Sequence, residues 1–435
     1  MEKMIDKVVE KKVMLPFVLV TTLFALWGFA NDITNPMVSA FKTVMEISNM
    51  EASLVQFAFY GGYATMAIPA AIFIKKYSYK SGILMGLALY AVGALMFYPA
   101  ASTEQFWLFL VSLYVLTFGL AFLETTANPF MLALGAESTA TRRLNLAQAF
   151  NPIGAIMGQF VAINFILSGL ESAKLGAEGF SVLAVAEKAV VRTHDLMLIR
   201  NPYVALGLFV LIMLVIFIFV KMPTRGDTDH ELHIGASFRR LGANSKYLFG
   251  VVAQVFYVGA QIMCWTYVVQ YGENLGLTKA EAQSYNLIAT SLFFVARLLS
   301  TFLLKYVSGA RLLMLFALGA GVCMLGTMFI GGFVGLYFLV GASGFMSLMF
   351  PTIYGIALDG LGDDAKLGSA GLVMAIVGGA IMPLLQGSMM DIGGPGYDDT
   401  LILGVPEVNF SFILPLICFV VIAVYGYKSY HRRVA

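Results

Sequence analysis

The sequence predicts an all-α membrane protein whose twelve transmembrane helices form two pseudo-symmetric six-helix bundles. Three observations carry that prediction. Hydrophobic residues make up 59% of the chain and charged ones only 12%, with a mean hydropathy of +0.83, which is far from the composition of soluble globular domains. Apolar stretches of about 20 residues, the length that crosses a hydrocarbon core, recur from one end to the other. The longest polar stretch falls near the middle, and a tetrapeptide of the first half returns in the second.

The spans are expected at 14–42, 51–74, 81–100, 105–134, 143–168, 200–221, 246–272, 281–304, 310–330, 333–358, 367–390 and 407–427. Several exceed the minimum length, which implies tilted or kinked helices. The first follows Lys11 and Lys12 as a signal peptide would. Many further spans follow it, so it reads as an uncleaved helix. Past Trp27 it gathers Asn31, Asp32, Thr34 and Asn35, and Asp32 and Asn35, one turn apart, share a face. The second span places Gln56, Tyr60 and Tyr63 on an i, i+4, i+7 stripe. In the fourth, Glu124 and Asn128 are four residues apart, and Pro129 interrupts the backbone hydrogen bonding. The fifth carries Asn145, Gln148 and Asn151; the seventh carries Gln254, Tyr257, Gln261 and Trp265 near helical spacing. Arg297 lies in the cytoplasmic half of the eighth. The remaining spans rest on length and apolarity.

Basic residues orient the chain. With the N-terminus inside, 20 of the 27 lysines and arginines fall in the cytoplasm and six outside, with Arg297 inside a span. That asymmetry satisfies the positive-inside rule with both termini cytoplasmic. The central polar stretch, 222–245, separates an N-terminal six-helix bundle (1–221) from a C-terminal one (246–435). Gly154-Ala155-Ile156-Met157 recurs as Gly379-Ala380-Ile381-Met382, 225 residues later, with a proline upstream of each copy at Pro129 and Pro351. Two repeated bundles joined by a cytoplasmic loop is the arrangement of a secondary transporter, with its binding site near mid-membrane between the halves.

The side chains narrow the chemistry. A net charge of +2 with scattered basic residues offers no face for a phosphate backbone, so nucleic acid is not expected as a partner. Cys264, Cys323 and Cys418 lie in apolar runs without CxxC spacing, and His194, His230, His233 and His431 fall in loops or the tail; neither disulfides nor a metal site is expected. Without a histidine in any span, or a nucleophile constellation, an enzyme is excluded. Amides and tyrosines at this density are unfavourable against lipid and suit a wet cavity, although helix–helix hydrogen bonding is a competing use for each. Paired amide donors and acceptors match neighbouring hydroxyls, and the aromatic faces of Trp27, Tyr60 and Trp265 suit the apolar face of a ring or ordinary packing. The set Trp27, Asn35, Gln56, Tyr60, Asn128, Gln148, Asn151, Tyr257, Gln261 and Trp265 is therefore expected to bind a small neutral polyhydroxylated solute. Asp32 and Glu124 are costly in hydrocarbon as anions, which marks both as proton-handling groups.

The runs Trp27-Gly28-Phe29-Ala30-Asn31-Asp32, Gln56-Phe57-Ala58-Phe59-Tyr60-Gly61, Tyr77-Ser78-Tyr79-Lys80-Ser81-Gly82, Leu123-Glu124-Thr125-Thr126-Ala127-Asn128-Pro129-Phe130, Arg143-Leu144-Asn145-Leu146-Ala147-Gln148 and Phe350-Pro351-Thr352-Ile353 resemble the fucose:proton symporter branch of the major facilitator superfamily, which also holds glucose/galactose transporters. The resemblance spans nearly the whole chain and is sharpest in its N-terminal half. It implies the superfamily fold and proton-driven import of a hexose or deoxyhexose by alternating access. L-Fucose is the first candidate; glucose, galactose or an amino sugar, or uncoupled uniport, are the alternatives. Glu124 matches the family's membrane acid in the fourth helix, and Gln148 and Asn151 match polar positions of the fifth. The family's first-helix acid aligns nearer Asn35, so the carboxylate of Asp32 is displaced by one turn on the same face. The loop from Lys75 to Lys80 lacks the aspartate of the general superfamily motif, as the branch does. No cofactor is expected beyond the co-transported proton, and the bacterial cytoplasmic (inner) membrane is the expected location. Two bundles around one cavity make a monomer sufficient. A drug efflux pump would need a greasier cavity, and a sugar sensor a soluble signalling domain.

Overall fold

A computed structural model describes residues 8–47, 49–223, 234–277, 279–390 and 400–434. Arg225, His230 and His233 lie outside the described residues. The chain is helical almost throughout; its one short β-ladder among the described residues pairs Leu401–Ile402 with Val405–Pro406. Twelve helical stretches of the described residues are long and apolar enough to cross a membrane: Lys11–Thr34, Leu54–Lys76, Tyr79–Thr103, Phe106–Ala133, Glu137–Leu167, Val185–Phe219, Ser245–Gly272, Glu281–Leu303, Gly309–Phe329, Gly332–Leu358, Gly362–Met390 and Glu407–His431. These are called the first to twelfth spans below.

Departures from the expected bounds have local causes. The first helix stops at Thr34 and a second one starts at Met37, because Pro36 removes a backbone donor at that point. The sixth helix begins at Val185 and runs for 35 residues, about 52 Å at 1.5 Å per residue. Its charged first turns carry His194, Arg192 and Lys188 on a helix where the sequence suggests a loop. Those turns are anchored by polar contacts that no periodicity reveals: Lys188 and Arg192 pair with Glu46 at 2.8 and 3.0 Å. The carboxylate of buried Asp195 accepts the Glu171 and Ser172 amides and the Ser172 hydroxyl, closing the N-terminus of the helix Glu171–Ser181.

The helices group into two compact units. One consists of Val13–Phe130 and Ile153–Leu232; the other of Met1–Lys12, Met131–Pro152 and His233–Ala435. Each has an apolar interior of branched and aromatic side chains, while many large apolar residues of the spans, such as Phe57, Phe209, Val322 and Leu384, are exposed.

Within both units glycine lets helices touch backbone to backbone. A methyl group on Gly154 of the fifth span would collide with the Ala25 carbonyl of the first. In the other unit, one on Gly378 of the eleventh span would collide with the Val255 carbonyl of the seventh. Gly378 adjoins the second copy of the repeated tetrapeptide, so the repeat marks the same helix pairing six spans apart. Such contacts between small residues are a main source of cohesion where water does not drive association. Gly154→Ala and Gly378→Ala are each expected to destabilise the detergent-solubilised protein by about 1–3 kcal/mol through overpacking, seen as a lower melting temperature. Gly235→Ala, with open space at its Cβ, should leave it unchanged.

Candidate functional site

The first site residues sit where the first helix ends. Thr34 secures that end, its hydroxyl donating to the Ala30 carbonyl at 2.7 Å and lying 2.9 Å from the Tyr203 hydroxyl. One turn of helix then presents Asp32 and Asn35. Asp32 Oδ1 accepts from Gln159 Nε2 of the fifth span at 2.8 Å, and Asn35 Oδ1 accepts from Gln56 Nε2 of the second at 3.3 Å. Tyr60, one turn beyond Gln56, is half-buried, stands edge-on to Phe59 at 5.7 Å and lies within electrostatic range of Asp32. These five residues form one polar cluster. Gln159 is the member that sequence reasoning misses; its signal was its place 11 residues, three helical turns, past Gln148.

Glu124 differs from Asp32 in having no side-chain donor among the described residues. It is 9% exposed, and its Oε2 is buried with no hydrogen-bond partner among the described residues. Buried Asn128 turns its amide on the helix itself, donating to the Glu124 carbonyl at 3.0 Å. Tyr63, fully buried, lies within electrostatic range of Glu124. Trp27 stacks on Phe24 with centroids 4.7 Å apart, is 1% exposed, and has no partner for its indole N–H among the described residues. Neither Asp32 nor Glu124 pairs with a lysine or arginine among the described residues, although each is held within or beside buried structure.

The other unit carries a second cluster along the seventh span. Tyr257 donates its hydroxyl to the Met346 carbonyl at 3.2 Å. Gln261 is half-buried one turn later. Trp265 donates Nε1 to Ser343 Oγ at 3.1 Å and meets Phe293 edge-on at 5.2 Å. Arg297 lies over Phe293, its guanidinium 4.6 Å from the ring centroid, and donates to the Gln148 and Ser347 carbonyls. Gln148 is buried and Asn151 half-buried. Gln254 is fully buried with neither side-chain atom hydrogen-bonded among the described residues.

The two clusters therefore offer amides, phenols and an indole N–H as donors and acceptors, together with two carboxylates free of cations. Removing the donor that faces Asp32 tests its place in the first cluster. Gln159→Leu is expected to cost about 1–3 kcal/mol in the unpaired carboxylate. That should lower the kcat/KM of solute uptake by roughly tenfold or more, measured with radiolabelled solute in vesicles, while the amount of folded protein stays near that of the parent.

Comparison with known proteins follows the same outline. The sequence matches the profile of the Major Facilitator Superfamily over residues 18–384. It is 59% identical over 428 residues to a Haemophilus influenzae protein named L-fucose-proton symporter, with 98% of both chains covered. It is 31% identical to a Brucella abortus protein named glucose/galactose transporter, covering 93% of this chain and 92% of that one. Among solved structures, the Escherichia coli fucose:proton symporter superposes with a TM-score of 0.86 at 33% identity, over 96% of this chain and 99% of the other.

Proposed function

Because the chain belongs to the Major Facilitator Superfamily, we propose that it is a proton-coupled sugar symporter that imports L-fucose by alternating access. Relatives named for L-fucose–proton symport support that reading over nearly the full length. The observation that carries it is Glu124, an almost fully buried carboxylate with an unpartnered oxygen and no cation beside it. Binding a neutral sugar gives no reason to keep such a group. Carrying a proton does.

In this mechanism a proton neutralises Glu124 or Asp32 while the site faces outward. The sugar then exchanges its water for the amides of Asn35, Gln56, Gln148, Asn151 and Gln261, with Tyr60, Tyr257 and Trp265 against its apolar face. Asn128 and Trp27 support this surface from behind. The two six-helix bundles, 1–221 and 246–435 joined by the loop 222–245, rock about the site, and sugar and proton leave on the other side. The energetics are sufficient: one proton moving down about 100 mV and one pH unit supplies roughly 2.3 + 1.4 kcal/mol. At about 1.4 kcal/mol per decade, that supports several-hundred-fold accumulation. The chain is a multi-pass membrane protein, and in this reading it works as a monomer in the bacterial cytoplasmic membrane with both termini inside. Its partners are sugar, proton and lipid; it is not an enzyme.

The test is the external pH of lightly buffered, de-energised proteoliposomes on adding L-fucose, galactose, glucose and N-acetylglucosamine in turn. L-Fucose should alkalinise the medium. The Glu124→Gln protein should give no pH change and no uphill accumulation, while still exchanging labelled sugar across the membrane. A signal with glucose or galactose alone would reassign the substrate, and sugar entry without a pH change would make the protein a uniporter.

A further inference from the structure

Three acceptors of the tenth span are taken by side chains of the seventh and eighth, all within one compact unit. Ser343 Oγ accepts from Trp265 Nε1 at 3.1 Å, the Met346 carbonyl from the Tyr257 hydroxyl at 3.2 Å, and the Ser347 carbonyl from Arg297 Nε. Positions i, i+3 and i+4 lie on one helix face. In a continuous helix the Ser347 carbonyl would accept from the amide four residues on, which is Pro351 and has no N–H; the Gln148 carbonyl stands in the same relation to Pro152. Of the three acceptors on the tenth span, Ser343 alone uses its side chain.

That hydroxyl does something specific to the indole. Nε1–H is the single polar group of a tryptophan side chain, and it only donates. At 3.1 Å it is within N–H···O range and engaged. The ring meets Phe293 in a T-shaped contact, at 77° with centroids 5.2 Å apart, and Phe293 carries the Arg297 guanidinium over its own ring. One contact at the nitrogen and one at the ring leave the indole a single orientation. Ser343 and Phe293 are 1% and 2% exposed, whereas Trp265 is half-buried. The part of Trp265 that stays open is therefore apolar ring. Burial alone does not account for the bond, because Trp27, at 1% exposed, has no partner for its N–H among the described residues, while the more open Trp265 has one.

We infer that Ser343 is a positioning residue for sugar recognition: by holding the indole N–H it turns Trp265 into a fixed, donor-free platform that meets sugar with its ring face alone. The inference rests on the transport function proposed above. Ser343 acts through Trp265 and does not itself touch sugar. Two consequences follow from the bond. The indole has given up its rotamer freedom before sugar arrives, so stacking on it costs less entropy. A C–H patch of the sugar is favoured against this surface over a hydroxyl, which would lose its water and find no donor in exchange. Hydroxyls are left to the amides, of which half-buried Gln261 is one helical turn before Trp265.

The experiment uses the full chain with isotopically labelled indole nitrogens. Trp27, Trp107 and Trp265 are its three tryptophans, so each gives one indole cross-peak by NMR in detergent, and Trp265→Phe identifies the one that matters. In the parent that N–H should exchange slowly with water, with and without L-fucose, while its resonance moves when sugar is added. Ser343→Ala should speed the exchange by roughly fivefold or more, the weight of one neutral hydrogen bond. In proteoliposomes it should raise the KM of L-fucose uptake by about the same factor and leave kcat near that of the parent. Ser343→Thr, which keeps the acceptor, should restore both. Since Ser343 acts through the indole, Ser343→Ala should add nothing to the KM of the Trp265→Phe protein; a general loosening of the fold would raise KM in both backgrounds. Fast exchange of the Trp265 N–H in the parent, a KM indifferent to Ser343→Ala, or the full effect persisting in Trp265→Phe would each overturn the inference. If the parent carries none of L-fucose, galactose, glucose and N-acetylglucosamine, the transport reading fails; loss of N–H protection in Ser343→Ala then still supports the fixed indole, and unchanged protection overturns it.

Discussion

A chain that crosses hydrocarbon must find an internal partner for every backbone carbonyl and every charge, since no water is there to supply one. The rest of this structure depends on how that constraint is met. Prolines within helices release carbonyls that need donors, and arginine, with five donors in a fixed plane, is suited to collecting them. Arg297 takes the carbonyls released by Pro152 and Pro351, while Arg143 takes those at the end of the fourth helix. Several carbonyl dipoles converge on each cation.

The acids show the opposite pattern. Asp195 accepts two amides and a hydroxyl and has the His194 ring 3.3 Å away, so its place is structural. Asp32 has one amide donor, and Glu124 leaves an oxygen buried and bare. Neither pairs with an arginine among the described residues that could neutralise it permanently. A carboxylate whose charge must come and go needs this arrangement, because a fixed guanidinium would hold it as an anion through every step. Among the described residues the distribution of cations, and not the presence of acids alone, sets Asp32 and Glu124 apart and supports the proton role proposed for them.

Much of this was legible in the sequence, for physical reasons. Spans show because their length and apolarity are local properties; Asp32, Glu124 and the amide stripes show because they violate that apolarity. The extension of the sixth helix to Val185 does not show, since it is held by Glu46, some 140 residues away in the chain. Gln159 was missed for the same reason: its contact with Asp32 joins residues 127 apart. Arg297 could be recognised as a helix latch from its position, but its acceptors depend on two prolines in other spans. Gly154, in the first copy of the repeated tetrapeptide, and Gly378, one residue before the second, each meet a backbone carbonyl of a helix four spans earlier, a closeness the sequence alone does not show. The grouping of residues 131–152 with the C-terminal helices has no sequence signal, because it reflects packing and not connectivity.

Hydrogen bonds within the first cluster also bear on how a sugar enters it. Asn35 and Gln56 already satisfy one another, so a hydroxyl gains only the difference between its own bonds and the pair it replaces. That pair is long, at 3.3 Å, and exposed, so the replacement costs little. The bond from Gln159 to Asp32 is shorter, at 2.8 Å, partly buried and directed at a carboxylate, so it resists exchange. Under the proposed function the amide pair is then the surface expected to yield to sugar, and the Asp32–Gln159 pair the one expected to stay and sense charge. On that proposal, division of labour within one helical turn would let a neutral solute and a proton act on the same cluster without competing for the same donor.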